Sequence, residues 1–448
     1  MPIPPGYDQK KLQKTAMHAT FWTVVAYGSS QALRLVNSLV VTRLLMPEYL
    51  GLMTLISTLV MGMNFLSDVG LLPSVINSPR GDDPVFLNTA WSVQIIRGLV
   101  LWAGAVTLAY PLSLFYNHDH RIVQLLPVLG ISLIINGFAS TNTFTATRNI
   151  GVRSMLMLDL TAQIFGMVVV ILWARFFPSV WALIGGTLAT NLARTSLSHV
   201  RSFLPGIRNW PAWDKSSLNS LVHFGKWIML GTAFYFFATQ ADRLILGRLV
   251  SFSILAVYNI AFMYADIPRQ VILQFSYRVG FPFVAKMAHQ PLPEFRKNVL
   301  KYRFLVLCAG GFILSVVVNA GGPVVTRLYD QRYHEAYWMV PILALGLWHT
   351  LMYSTTSDIL FTLGKPHYNA IGTGLYCAAM FIGLPLGFHF FGMKGAVISV
   401  AAGDLPIYFV LETGVAREKI SVWRQDALAT AVFVAFVAAG FGLKRLIF

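Results

Sequence analysis

ATFWTVVAYGSSQALRLVNSLVVTRLL, residues 19–45, is long and apolar enough to cross a bilayer, yet it carries a permanent cation, Arg34, near its middle. An arginine at the centre of a membrane helix costs roughly 2.5–3.5 kcal/mol on insertion scales, so such residues face a bundle interior or a water-filled cavity. Thr23, Tyr27, Ser30, Arg34, Asn37 and Ser38 recur at three- and four-residue spacing and so share one helix face. The stretch reads as a first membrane helix lining an aqueous, positively charged cavity.

The rest of the chain agrees with that start. Of 448 residues, 56% are hydrophobic and 12% charged, the composition of an all-α polytopic membrane protein with no room for a large soluble domain. Apolar runs place thirteen spans near 19–45, 50–76, 88–115, 122–147, 155–177, 179–199, 222–247, 253–282, 301–327, 337–363, 367–391, 394–413 and 425–447. The basic start leads into a full-length span with no small-residue cleavage site after it, so it is expected to remain. Lys10, Lys11 and Lys14, with the cations of alternate loops such as Arg148, Arg208 and Lys215, put the N-terminus in the cytoplasm. Lys286, Arg296, Lys297, Lys301 and Arg303 are counted in one such loop. Lys444 and Arg445 are the end that does not fit, since thirteen spans leave them outside. The formal charge of +16 thus reads as positive-inside loops, with membrane lipids as partners, plus a few intramembrane arginines, and no nucleic acid as partner. Cys308 and Cys377 lie in spans and form no disulfide framework.

An internal repeat points to the architecture. RLLMPEYLGL from Arg43 lines up with RLVSFSILAV from Arg248, each joining the first two helices of a set, and the same offset brings Asn37 onto Asp242. Six spans precede the polar linker SFLPGIRNWPAWDKSSLNS at 202–220, and the rest follow it. The expected division is an N-terminal lobe over 1–201, the cytoplasmic linker 202–220, a C-terminal lobe over 221–414, and an amphipathic segment with an extra helix over 415–448. Two bundles of like orientation form the parallel-repeat plan of a transporter.

The same residues carry a family resemblance. Asp242-Arg243-Leu244-Ile245-Leu246-Gly247-Arg248, followed by Leu255-Ala256-Val257-Tyr258-Asn259-Ile260-Ala261, resembles the D-R-x-x-x-G, L-G-x-Y-x-x-A stretch of bacterial polysaccharide-transport proteins. These are lipid-linked oligosaccharide flippases of the multidrug/oligosaccharidyl-lipid/polysaccharide exporter superfamily. Arg43 to Leu52, Ser67-Asp68-Val69-Gly70-Leu71 and Arg148 to Arg153 are similar as well. The departures are Val69-Gly70 where Leu-Gly is commoner, Ala256 where Gly is usual, and an uneven helix count at the C-terminal end. The resemblance implies two six-helix bundles with 12–14 membrane helices in all. It also implies movement of a polyprenyl-diphosphate-linked oligosaccharide from the cytoplasmic to the periplasmic leaflet, for export of O-antigen or exopolysaccharide. A polysaccharide polymerase and a chain-length regulator are the further partners it suggests.

A diphosphate in a low-dielectric site needs cations, and the planar arginine fork pairs with its oxygens in bidentate fashion. Arg34, Arg243 and Arg97 are therefore the candidate phosphate ligands, with Ser30 and Asn37 beside Arg34. Sugars need amide, hydroxyl and aromatic partners, which the seventh span offers in Thr232, Tyr235, Thr239 and Asp242, and the eighth in Asp266, Gln270, Gln274 and Tyr277. Asp242 and Asp266 are the candidate ion-coupling carboxylates. Each has a plainer reading: Arg34 as half of an interhelical ion pair, Arg97 snorkelling to an interface, Asp266 and Arg269 neutralising one another. Asp159, Asp358 and Glu412 read as interfacial. Tyr329, Tyr333, Tyr337 and Trp338 read as an aromatic belt. The short outer loops argue against a polymerase or membrane glycosyltransferase, and Asp82-Asp83 is a single pair, too few carboxylates for a magnesium site. With no P-loop, metal-ligand cluster or Ser/His/Asp set in the sequence, the chain reads as a non-enzyme without cofactors. A drug or cation exporter of the same superfamily is the nearest rival, and it would favour acidic cavity residues over Arg34.

Overall fold

The computed structural model describes residues 9–149, 151–275, 280, 284, 285, 287 and 290–447; inside some helices, including 9–21 and 272–275, side chains lie outside the description. No strand occurs among the described residues. The chain forms two compact units, Met1–Ala233 and Phe234–Phe448.

In the first unit the helices are α1 (Gln9–Leu44), α2 (Pro47–Leu66), the short α3 (Leu71–Asn77), α4 (Pro84–Phe115), α5 (Arg121–Gly137), the short α6 (Asn142–Arg148), α7 (Val152–Phe176) and α8 (Val180–Ser198). α4 packs along α5, α7 along α8, and α1 along α7. α2 begins where a proline is best tolerated, with Pro47 in its first turn and Glu48 beside it to complement the helix dipole. α5 and α6 form one path bent by 65°. The linker is not a loose tether. Its backbone N–H groups at Trp210, Ala212 and Asp214 donate to Asn88 Oδ1, Ser92 Oγ and Thr89 Oγ1 at 3.1, 3.0 and 3.2 Å, which lays it along the first turns of α4.

α9 (Lys215–Leu249) leaves the linker, and the division between the units falls within it. The second unit continues with α10 (Phe252–Phe275), α11 (Leu292–Leu328), a 3-10 turn at Gln331–Tyr333, α12 (Ala336–Thr362), α13 (His367–Ala402), α14 (Leu405–Arg417) and α15 (Trp423–Ile447). α11 is flanked by α12 and α15, and α12 also packs on α10, α13 and α14. α13 is a helical hairpin: Gly392 has φ +57 and ψ −146, which only glycine adopts readily, and the helix reverses there. The arms approach so closely that a Cβ on Gly395 would collide with the Gly387 carbonyl, and Ser399 Oγ donates to Gly383 O at 2.9 Å. Small residues let membrane helices pack backbone to backbone in this way.

Among the described residues, six helical segments are long and apolar enough to cross a membrane, and the bent α5–α6 pair makes seven. α1, α8, α9, α10 and α12 are not among them, and these bear Arg34, Arg194, Asp242, Asp266 and His349.

Two expectations are corrected here. Arg303, counted as a loop cation, lies inside the second unit at 1% exposure, paired with Asp426 of α15. Tyr329 and Tyr333 are core residues rather than a belt, in edge contact with each other, and Tyr329 also meets Tyr264 edge-on. Burial outside the spans pushes the Tyr333 phenol up to about 12.

Candidate functional site

Each unit holds a polar site of its own. In the first, the stripe on α1 begins at Thr23 and Tyr27, whose side chains lie outside the described residues. Ser30 Oγ donates to Gln163 Oε1 of α7 at 3.1 Å. Arg34, one turn on, is exposed and has no ion-pair partner among the described residues. Asn37 Oδ1 is shielded from solvent with no donor to satisfy it among the described residues. The α1 face thus offers an unneutralised guanidinium and an unfilled amide acceptor within one turn of each other.

The same unit contains a cavity of about 630 Å³ lined by α2 to α8. Arg97 faces it from α4. Its Nε donates to Ser67 O at 2.8 Å and its Nη2 to Asn64 O at 2.6 Å, so the cation caps the C-terminal carbonyls of α2 while lining the cavity. Arg194 of α8 faces the cavity as well, its Nε donating to Asp159 Oδ1 at 2.8 Å, so the partly exposed Asp159 has an arginine partner on a neighbouring helix.

The second unit gathers its charges around a smaller cavity of about 40 Å³, lined among others by Asp242, Asp266, Arg269, Thr350, Tyr376 and Asp404. A polar space of that size holds a water or a small ion. Asp242 is buried and accepts from Tyr258 Oη at 2.6 Å. Arg243 reaches back to Asp242 at 3.5 Å, donates to Gln240 Oε1 at 3.0 Å, and lies 4.6 Å from the Phe262 ring centre. Asp266 pairs with Arg269 and accepts from Gln270 Nε2 at 2.8 Å. The neutralising pair weighed from the sequence is present, and the carboxylate still faces the cavity. Tyr235 is 56% exposed on α9. Gln274 and Tyr277 lie outside the described residues.

Asp404 and the two residues that meet it, Thr350 and His349, were not anticipated. Asp404 sits in the break between α13 and α14, where it accepts from Thr350 Oγ1, and His349 Nε2 lies 3.3 Å from its other oxygen. The signal was Gly403-Asp404-Leu405-Pro406, a carboxylate between a glycine and a proline in the middle of an apolar run, which marks a helix break. Asp358, read as interfacial, is buried on α12. Among the described residues no cluster of three or more His, Cys, Asp or Glu side chains could hold a metal ion.

Comparison with known proteins places this geometry. The family described as "Polysaccharide biosynthesis protein" matches residues 40–337. The lipopolysaccharide biosynthesis protein WzxC of Escherichia coli strain K12 is 22% identical over 461 residues, covering 97% of this chain and 89% of that protein. The succinoglycan biosynthesis transport protein ExoT of Rhizobium meliloti strain 1021 is 21% identical over 334 residues, covering 74% and 66%. Among solved structures, the lipid II flippase MurJ in an inward closed conformation superposes with a TM-score of 0.71 at 11% identity, covering 96% of this chain and 100% of that one. An inward-facing multidrug resistance MATE family transporter of the MOP superfamily gives 0.64 at 16% identity, covering 90% and 95%. At these identities the structural likeness establishes the fold, that of the MOP superfamily transporters, and the sequence match over most of the chain establishes the family. The chain belongs to the polysaccharide biosynthesis protein family.

Proposed function

We propose that the protein is a flippase that moves a polyprenyl-diphosphate-linked oligosaccharide from the cytoplasmic to the periplasmic leaflet by alternating access, with its N-terminus in the cytoplasm of the bacterial inner membrane. The observation that carries this reading is Arg34, a mid-helix guanidinium left without a carboxylate among the described residues. A cation held at membrane depth without a partner is costly unless an anion visits it, and a diphosphate is an anion that arginine holds in bidentate fashion. Movement across the bilayer makes and breaks no bond, so the protein has no catalytic residues and needs no cofactor. Ser30, Asn37, Arg97, Arg243, Tyr235, Gln270 and Gln274 would contribute to glycan and phosphate binding. Asp242 and Asp266 would couple transport to an ion through the small cavity of the second unit. A polymerase and a chain-length regulator would take the product on the far side.

The drug or cation exporter remains the second reading because the second unit concentrates carboxylates around its cavity. Purified protein in vesicles, offered a fluorescent polyprenyl-diphosphate oligosaccharide or an organic cation, separates the two. Flipping of the glycolipid, stimulated by an imposed proton or sodium gradient and insensitive to that gradient in Asp266→Asn, is the expected result. Cation efflux without flipping would replace the proposal with the exporter.

A further inference from the structure

The cavity of the first unit is lined by two arginines whose guanidinium groups are only partly used by described residues. A bend in a membrane helix normally frees backbone carbonyls to accept hydrogen bonds. Here they are taken: Gln94 Nε2 donates to Asn136 O, Gly137 O and Ala139 O at 2.7, 3.2 and 3.3 Å, Thr195 Oγ1 to Ile135 O at 3.1 Å, and Trp91 Nε1 to Phe138 O at 3.3 Å. What stays available includes guanidinium donors. Arg194 has its Nε fixed by Asp159, and neither of its terminal nitrogens has a partner among the described residues. Arg97 spends Nε and Nη2 on α2 and keeps Nη1. Among the described residues Asp68 is the one carboxylate lining the cavity, and Asp159 pairs with Arg194 from outside that lining, so the two guanidinium groups have two carboxylates near them. The volume of about 630 Å³ lies within the ~300–1,000 Å³ of small-ligand sites.

Resting on the flippase reading, we propose that this cavity is a subsite for a carboxylate-bearing sugar of the transported glycan, with the outer edge of Arg194 pairing with the carboxylate and Asn64, Asn136 and Asn191 meeting the ring hydroxyls. Asp159 acts from behind, holding the guanidinium plane so that its two terminal nitrogens face the cavity together. A neutral sugar offers that edge no charged partner, so it should bind more weakly than a carboxylate-bearing one. The inference bears on which glycans are accepted, and it concerns residues apart from Arg34.

Saturation-transfer NMR on the full chain in lipid nanodiscs tests it, with sodium glucuronate, glucose and glucose 1-phosphate as probes. The expected result is saturable binding of glucuronate, binding of glucose weaker by about tenfold or more, and loss of the glucuronate signal in Arg194→Gln. Arg194→Lys keeps the charge but not the fork and should weaken binding severalfold. An unliganded thermal transition equal to the parent's would confirm that both variants fold, since Arg194 and Asp159 are each partly exposed. Arg34→Ala should retain glucuronate binding even where it abolishes flipping, so failure of the subsite and failure of the flippase reading appear in different measurements. Equal binding of glucose and glucuronate, preference for glucose 1-phosphate alone, or unchanged binding in Arg194→Gln would overturn the proposal.

Discussion

Arg303 shows what a single residue can hide. Its position at the start of an apolar run suggests a loop cation, because the sequence gives no sign of the aspartate more than a hundred residues away that receives it. In the fold Arg303 Nη1 pairs with Asp426 and donates to Gln425 Oε1 at 3.1 Å, while Nη2 reaches Met352 O and Thr356 Oγ1 at 3.2 and 3.1 Å. Tyr408 Oη adds a donor to the other Asp426 oxygen at 3.1 Å. This pair anchors α15, the helix beyond the repeat, to the core of the second unit. Removing one partner leaves a buried charge uncompensated, so Asp426→Ala should lower stability by about 3–5 kcal/mol. The double variant Arg303→Met with Asp426→Leu should recover most of that. Thermal unfolding of the purified variants reads both, and an Asp426→Ala transition at the parent's temperature would contradict the anchoring role. Arg34 was legible for the opposite reason: its cost is local, visible in the apolar residues on either side.

At the scale of elements, the bent α5–α6 path and the linker form one unit. Asn209 of the linker accepts from Ser140 Oγ at 2.7 Å and donates to Thr141 Oγ1 at 2.6 Å, and Asn142 Nδ2 donates to Ile207 O at 3.0 Å, so linker groups satisfy the residues at the bend. All three side chains at the bend and Asn209 itself are buried. Asn209→Ala strands those groups and should cost about 1–3 kcal/mol, with faster proteolysis near the exposed Trp210 and Trp213 as a second readout. Unchanged stability and cleavage would mean the linker is only a tether. Asp214 starts α9, its carboxylate held well below the usual range by the Ser217 and Ser216 hydroxyls and the Ser217 N–H. A lowered carboxyl stabilises the fold above its ordinary value of 3.8 and loses that contribution only as pH falls beneath it, so docking should not vary across neutral pH. Composition identified this segment as polar and loop-like. It could not show that the segment is docked, because hydrogen bonds to α4 and to the bend depend on residues distant in sequence.

For the whole molecule, hydrophobic runs and the Asp242–Ala261 motif were sufficient to anticipate an all-helical membrane transporter, since membrane spans are dictated locally by apolar length. The sites were only partly legible. Asp242 and Asp266 do face one cavity, yet Asp404 and His349 complete it from a helix break and from α12, and Arg194 joins Arg97 from α8. Convergence of this kind follows from packing, which periodicity does not encode. The central claim remains the cation on α1. Removing it makes the helix cheaper to embed, so Arg34→Ala should reach the membrane in normal amount and unfold at the parent's temperature while polysaccharide export is abolished. Arg34→Lys should recover little export, because an ammonium lacks the bidentate fork. The decisive measurement is therefore membrane abundance and exported polysaccharide for parent, Arg34→Ala and Arg34→Lys side by side. Normal abundance without export in the alanine form is the predicted result, and an abundant alanine form with full export would contradict a role for Arg34 in the substrate path.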